Sequence, residues 1–147
     1  MSVVKIRPAL MAAGSVALFV IGGATALTLE PPPPFTPLLS TSKTIMDEPI
    51  VYPTGTPAKL TTAIISMPPG GETGWHTHGV PLTGLILEGE LTIDYGEKGK
   101  RTYKAGQSLA EAINVPHNGQ NTGSGILKLF VVYIGAEGLP TSIPVKQ

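Results

Sequence analysis

Cysteine is absent from all 147 residues. That excludes thiolate ligands, a cysteine nucleophile, disulfides and a lipid anchor through sulfur. Stability must come from packing, helped by a metal or by subunit association. Charge is sparse as well: 14% of residues are charged, ten basic against ten acidic, and only KGKR at 98–101 gathers positive charge. This balance argues against a nucleic-acid partner. No G-x-S-x-G, phosphate-binding loop or H-E-x-x-H occurs, which removes the common signatures of serine hydrolases, nucleotide-binding proteins and zinc proteases. After residue 29 no sustained helical period is present. Histidine is scarce too, at three residues, and there is a single tryptophan.

One long apolar run is present. Lys5 and Arg7 precede an uncharged stretch over residues 8–29, in which Gly22 and Gly23 lead into Ala24, Thr25 and Ala26. A basic start, an apolar middle and an A-x-A site in that order predict a secretory signal peptide over residues 1–26, cut after Ala26. Residues 9–29 are also long enough to span a bilayer if left uncut. Either way the remainder is expected outside the cytoplasm, periplasmic, secreted or membrane-anchored, and without Lys5 and Arg7 it is slightly acidic.

EPPPPFTP at 30–37 can enter neither helix nor ladder, because proline lacks a donor and fixes φ, so residues 27–44 are expected to be an extended linker. Short β-prone runs follow, punctuated by Gly, Pro, Asn and Asp: IVY at 50–52, LTTAIISM at 60–67, LTGLIL at 82–87, LTIDY at 91–95, RTYKA at 101–105, SLAEAINV at 108–115 and ILKLFVVYI at 126–134. Seven short strands at this spacing predict a single all-β sandwich or barrel over residues 45–137. GVPLTGLILEGELTIDY at 79–95 reads as a hairpin turned by EGE, and YGEKGKR as the next turn. ILKLFVVYI is apolar on both faces except at Lys128, which places it in the core or at a homodimer contact. Residues 138–147 are expected to be an irregular tail.

His76 and His78 sit in GETGWHTHGV with one threonine between them. In a strand, residues i and i+2 share a face, so both imidazoles project together. A solvent-facing or satisfied core pair has the same spacing. His117, in NVPHNGQNTG, converges with them if the flanking strands close a small barrel. Trp75 is read as core or pocket lining, and Gln107, Tyr95 and Tyr103 as within reach of the cavity.

The glycines and prolines around these histidines resemble the motifs of small single-domain cupins. The first cupin motif runs Pro-Gly, five residues, H-x-H, three or four residues, Glu, six residues, Gly, and this chain has Pro69, Gly70, His76, His78 and Gly89. The second is matched by Gly106, His117 and Asn121, with Ala112 and Asn114 in place of its inner Pro and Gly. The resemblance covers residues 45–135 and implies a jelly-roll barrel. Its departure is chemical: Leu82 or Thr83 occupies the place of the first motif's glutamate. The pattern is similar instead to a cupin variant with a glutamate six residues before the second motif's histidine, which here is Glu111. An unpartnered carboxylate facing a barrel interior is costly or protonated, and a cation removes that cost; a glutamate on a solvent-exposed, twisted edge is the other reading of Glu111.

The implied ligand set is His76, His78, Glu111 and His117, holding a divalent transition metal: Fe, Mn, Ni, Cu, Co or Zn. The family implies an oxidoreductase of the dioxygenase, quercetinase-like kind acting on a small organic molecule. A non-enzymatic metal- or ligand-binding module is the alternative, since fold does not settle function.

Overall fold

The structure is a computed structural model that describes residues 35–146. The expected signal peptide or anchor and residues 27–34 of the expected linker lie outside the described residues. Among the described residues no helix is long and apolar enough to cross a membrane.

Among the described residues, nine strands and one 3₁₀ turn make up the regular structure. They are β1 (Ala58–Met67), β2 (His76–Thr77), β3 (Leu82–Glu88), β4 (Glu90–Asp94), the turn at Gly96–Lys98, β5 (Lys100–Lys104), β6 (Ser108–Ala110), β7 (Asn118–Asn121), β8 (Leu127–Ala136) and β9 (Ile143–Pro144). They form a four-stranded sheet in the order β1-β8-β3-β6, a three-stranded sheet β5-β4-β7 and a small sheet β2-β9. Every strand pair is antiparallel. Ile86, Leu127, Leu129 and Val131 from the larger sheet meet Leu91 and Ile93 from the smaller in one core. Each large aliphatic side chain buried this way contributes roughly 1.5–3 kcal/mol. The all-β jelly roll expected from the sequence is the fold observed.

Several local expectations need correction. EGE is no hairpin turn, because β3 pairs with β8 and β6 while β4 pairs with β5 and β7. At Gly89 the chain leaves one sheet for the other, passing so close to β8 that an added Cβ would lie 2.9 Å from the Ile126 carbonyl oxygen. Its φ of 82° lies in the left-handed region open to glycine. IVY is not a strand; Pro49 and Pro53 flank it and withhold ladder donors, and Val51 and Tyr52 are exposed. SLAEAINV extends only to Ala110, and NGQN, outside every strand run read from the sequence, is β7. ILKLFVVYI is not apolar-buried on both faces in the single chain: Leu127, Leu129 and Val131 point inward while Lys128 and Phe130 face out. The tail is only partly irregular, since β9 docks on β2.

Candidate metal centre

The site begins where the two sheets meet the short strand β2. His76 and His117 exchange both backbone hydrogen bonds, at 3.0 and 2.9 Å, although 40 residues of chain separate them. The His78 amide donates to the Ile113 carbonyl at 2.9 Å. These bonds pin three backbones side by side and bring the rings together, with centroids 4.9 Å apart for His76–His78, 4.5 Å for His76–His117 and 5.0 Å for His78–His117.

Each ring is then oriented by a backbone carbonyl. Nδ1 of His76 donates to Gly74, Nδ1 of His78 to Thr141 and Nδ1 of His117 to Val115, each at 2.8 Å. A carbonyl only accepts, so each Nδ1 carries the proton and each Nε2 keeps its lone pair. One ligand atom from each ring lies within 4.8 Å of the others. His117 Nε2 is buried and has no protein partner. A buried nitrogen without a partner is expensive, and a cation at the point of convergence would satisfy it.

The third orienting carbonyl comes from the tail. Val145 N donates to the Trp75 carbonyl at 3.0 Å, β9 pairs with His76–Thr77, and Thr141 holds His78. Gly79 makes room: a Cβ there would stand 2.5 Å from the Pro140 carbonyl oxygen. Asn121, also buried, ties the other end of the site by donating to the carbonyls of Met67 and Gly125 at 2.9 and 2.8 Å.

Residues 63–133 match the cupin domain family Cupin_2. This stretch is a cupin domain. No curated protein matched the sequence. Among solved structures, an oxalate oxidase aligns with a TM-score of 0.51 at 21% identity, covering 58% of this chain and 46% of its own. The oxalate decarboxylase of Lactobacillus farciminis, in a formate complex, gives 0.51 at 20% identity over 58% of this chain and 26% of its own. An RmlC-like cupin protein of Methanocaldococcus jannaschii gives 0.49 at 27% identity, over 52% and 71%. The chain thus spans less than half the length of the two oxalate enzymes, and the likeness to them concerns the double-stranded β-helix fold.

Glu111 stands in the cavity wall of this cupin domain but outside the group of three converging ligand atoms. It follows the last residue of β6 and is 5% exposed, so the alternative reading of a solvent-exposed edge does not hold. Its Oε1 accepts from the Tyr95 hydroxyl at 2.6 Å and from the Ala112 amide at 2.8 Å. Burial raises its pKa despite these two bonds. Burial also drives the Tyr95 hydroxyl far above its ordinary value, with Glu111 adding to the shift, and pushes Tyr103 up to about 12. The imidazoles move the other way. Burial lowers His78 to about 4, and burial likewise lowers His76 and His117 against the pull of their carbonyl partners. All three are therefore neutral near pH 7, the form in which imidazole binds a metal.

The donor set fits the divalent transition metal that the sequence motifs imply. Three neutral imidazole nitrogens suit Mn, Fe, Co, Ni, Cu or Zn without selecting among them. Of the other sequence candidates, Tyr95 reaches the site through Glu111, whereas Gln107 is exposed and bonds the Lys104 amide. Trp75 is half-buried in an outer groove with Val115, Pro116 and Val145. Two participants left no signal in the sequence. Thr141 acts through a carbonyl that any residue could supply. Glu48, 65 residues before Ile113, holds the loop ahead of His117 by accepting from the amides of Ile113 and Asn114 at 2.7 and 2.8 Å.

Proposed function

We propose that this chain is an exported, metal-dependent oxidoreductase of the dioxygenase type acting on a small organic molecule. The observation that carries this reading is the set of three Nδ1–H bonds to backbone carbonyls, which leaves three neutral Nε2 atoms aimed at one point beside an apolar cavity. Three protein ligands leave coordination positions open. A redox-active metal held there would supply electron exchange with dioxygen and polarise a substrate oxygen.

The chain's own part is to hold, orient and exclude water. His76, His78 and His117 fix the ligand geometry, and the aliphatic barrel keeps water out. Glu111 is the proton-holding group at the cavity wall. Burial raises its pKa, so the carboxyl holds its proton to higher pH than an exposed glutamate does. A nearby dication favours its ionised form, and Glu111 then serves as the fourth ligand while Tyr95 steadies the other oxygen.

Dioxygen uptake measured on protein loaded in turn with Fe, Mn, Ni, Cu and Zn, across a panel of small organic acids, phenols and enols, tests this reading. Consumption with a redox-active metal, lost in the zinc form and in His117→Ala, is the expected result. Tight zinc binding with no uptake under any loading supports instead a non-enzymatic binding module, a reading favoured by the small volume of the cavity, about 50 Å³.

Export follows from Lys5, Arg7, the apolar run and Ala24-Thr25-Ala26, and residues 9–29 would provide membrane attachment if uncut. A homodimer is proposed from the outer face of the larger sheet. Leu60 and Ile64 on edge strand β1 are 69% and 61% exposed and lie in register with Ile134 and Phe130. An apolar face ending in an unpaired edge strand invites a second copy about a twofold axis. Sedimentation should show a dimer that Ile64→Lys converts to monomer.

A further inference from the structure

The cavity beside the three histidines limits what can bind there. Apart from them and Glu111, its walls are almost entirely apolar, with Ile65, Met67, Leu91, Leu129 and Val131 among the lining side chains. No lysine or arginine lines it among the described residues. Arg101 has the strand parity to face inward, since it pairs with Ile93 on β4, but it is exposed and its Nη1 donates to the Lys100 carbonyl at 2.9 Å. Neutral donors are scarce too. The Thr73 hydroxyl is engaged with Gly74, Asn118 and the Gly119 amide. Tyr133, packed against His78 with ring centroids 5.8 Å apart, is the remaining lining hydroxyl.

A ligand with two carboxylates too far apart to chelate one ion would bring a second charge into this wall. One carboxylate can meet the metal; the other finds no cation, at most one neutral hydroxyl, and the carboxyl of Glu111. Burying an unpaired charge costs several kcal/mol, whereas an alkyl group in the same place gains free energy. Size adds a second limit. The cavity holds about 50 Å³, a fraction of the roughly 150 Å³ that accommodates benzene in an apolar core, so only the apolar end of a ligand fits within it.

Resting on the metal-site reading above, we infer that the substrate is a compact molecule with a single metal-binding oxygen function, one carboxylate or one enol or hydroxyl group, on a small apolar body. Dicarboxylates too extended to chelate one ion are excluded as good ligands.

Crotonate and fumarate form the decisive pair, because they differ only by a methyl in place of a carboxylate and the trans double bond keeps fumarate from chelating one ion. The full chain is loaded with Co(II), and each acid is titrated at fixed ionic strength while the visible cobalt absorption is followed and retained cobalt is checked by dialysis. Crotonate should bind at least about tenfold more tightly, a difference of about 1.4 kcal/mol. Ile65→Lys, which puts a cation in the cavity wall, should shrink or reverse that ratio. Thr102→Lys, at an exposed position on β5, should leave it unchanged. Fumarate binding as tightly as crotonate to cobalt-loaded wild type overturns the substrate class and leaves the metal site standing. Failure of the chain to take up cobalt at all overturns both.

Discussion

Glu48 and Glu111 both bond amides of the loop between β6 and β7, Glu48 from a distant segment and Glu111 from within it, and the two carboxylates are treated in opposite ways. Glu48, in an outer groove, accepts from two amides, from the Asn114 side chain and from the Thr44 hydroxyl. Burial pushes its pKa up, but those four bonds outweigh burial and hold it below the ordinary carboxylate value. Glu111 has two donors, both on one oxygen, and deeper burial; there burial wins and the pKa rises. A carboxylate whose acceptor sites are filled by the fold is a structural tie. One left short of donors in an apolar wall is costly to the apo-protein, and it is retained beside three unprotonated imidazole nitrogens. The contrast separates what holds the loop from what serves the site.

The largest effect in testing that separation is expected from the ligands. His117→Ala should lower metal affinity at least about a hundredfold and abolish any rise in melting temperature on metal addition, as followed by elemental analysis and calorimetry; Glu48→Gln should leave metal bound per folded chain nearly unchanged.

Next comes the pH dependence of the metal-free protein. Folded His78 titrates near 4 instead of 6.5, so the unfolded chain takes up the proton first as pH falls. Stability is whole above 6.5 and is lost between 6.5 and 4, by about 3 kcal/mol for this residue. Glu48, with a lowered pKa, adds stability above 4.5 that disappears at lower pH. Glu111, with a raised pKa, contributes below 4.5 and loses its contribution as pH rises through its folded value. Denaturation midpoints against pH should show His78→Gln flattening the acid limb and Glu111→Gln flattening the opposing one.

A smaller change is expected from Glu48→Ala, which leaves two loop amides without acceptors and should cost about 2 kcal/mol in urea titrations, with or without metal. Glu111→Gln should stabilise the apo form or leave it unchanged while weakening metal binding about tenfold, in contrast to Glu90→Gln, which should do neither. Equal behaviour of the Glu111 and Glu90 variants would remove Glu111 from the site. The tail gives the least: deleting residues 139–147 frees His78 Nδ1 and should weaken metal binding by up to about tenfold while the barrel still unfolds cooperatively.

Much of this was legible before any coordinates. Alternating runs such as LTIDY and ILKLFVVYI mark strands because a half-buried sheet imposes period two. The H-x-H pair and His117 were readable as one site because the motif glycines and Asn121 fix the loops around them. The partners of each strand were not legible. Gly89 looks the same in a two-residue hairpin as at a crossover between sheets, and only the close pass over Ile126 distinguishes them. β7 was missed because NGQN lacks the apolar alternation that marks strands; its ladder is built on the backbone groups that pair with β4. Thr141 and Glu48 act through contacts that span more than sixty residues, and no local pattern records them.

The central claim is that three imidazole nitrogens share one metal ion. Cobalt titration of the apo-protein, read by visible absorption and calorimetry together, tests it most directly. The account predicts saturation at one cobalt per chain, with a nitrogen-ligand spectrum that vanishes in His76→Ala, His78→Ala and His117→Ala alike. Cobalt uptake that survives loss of any one of these histidines undiminished would contradict it.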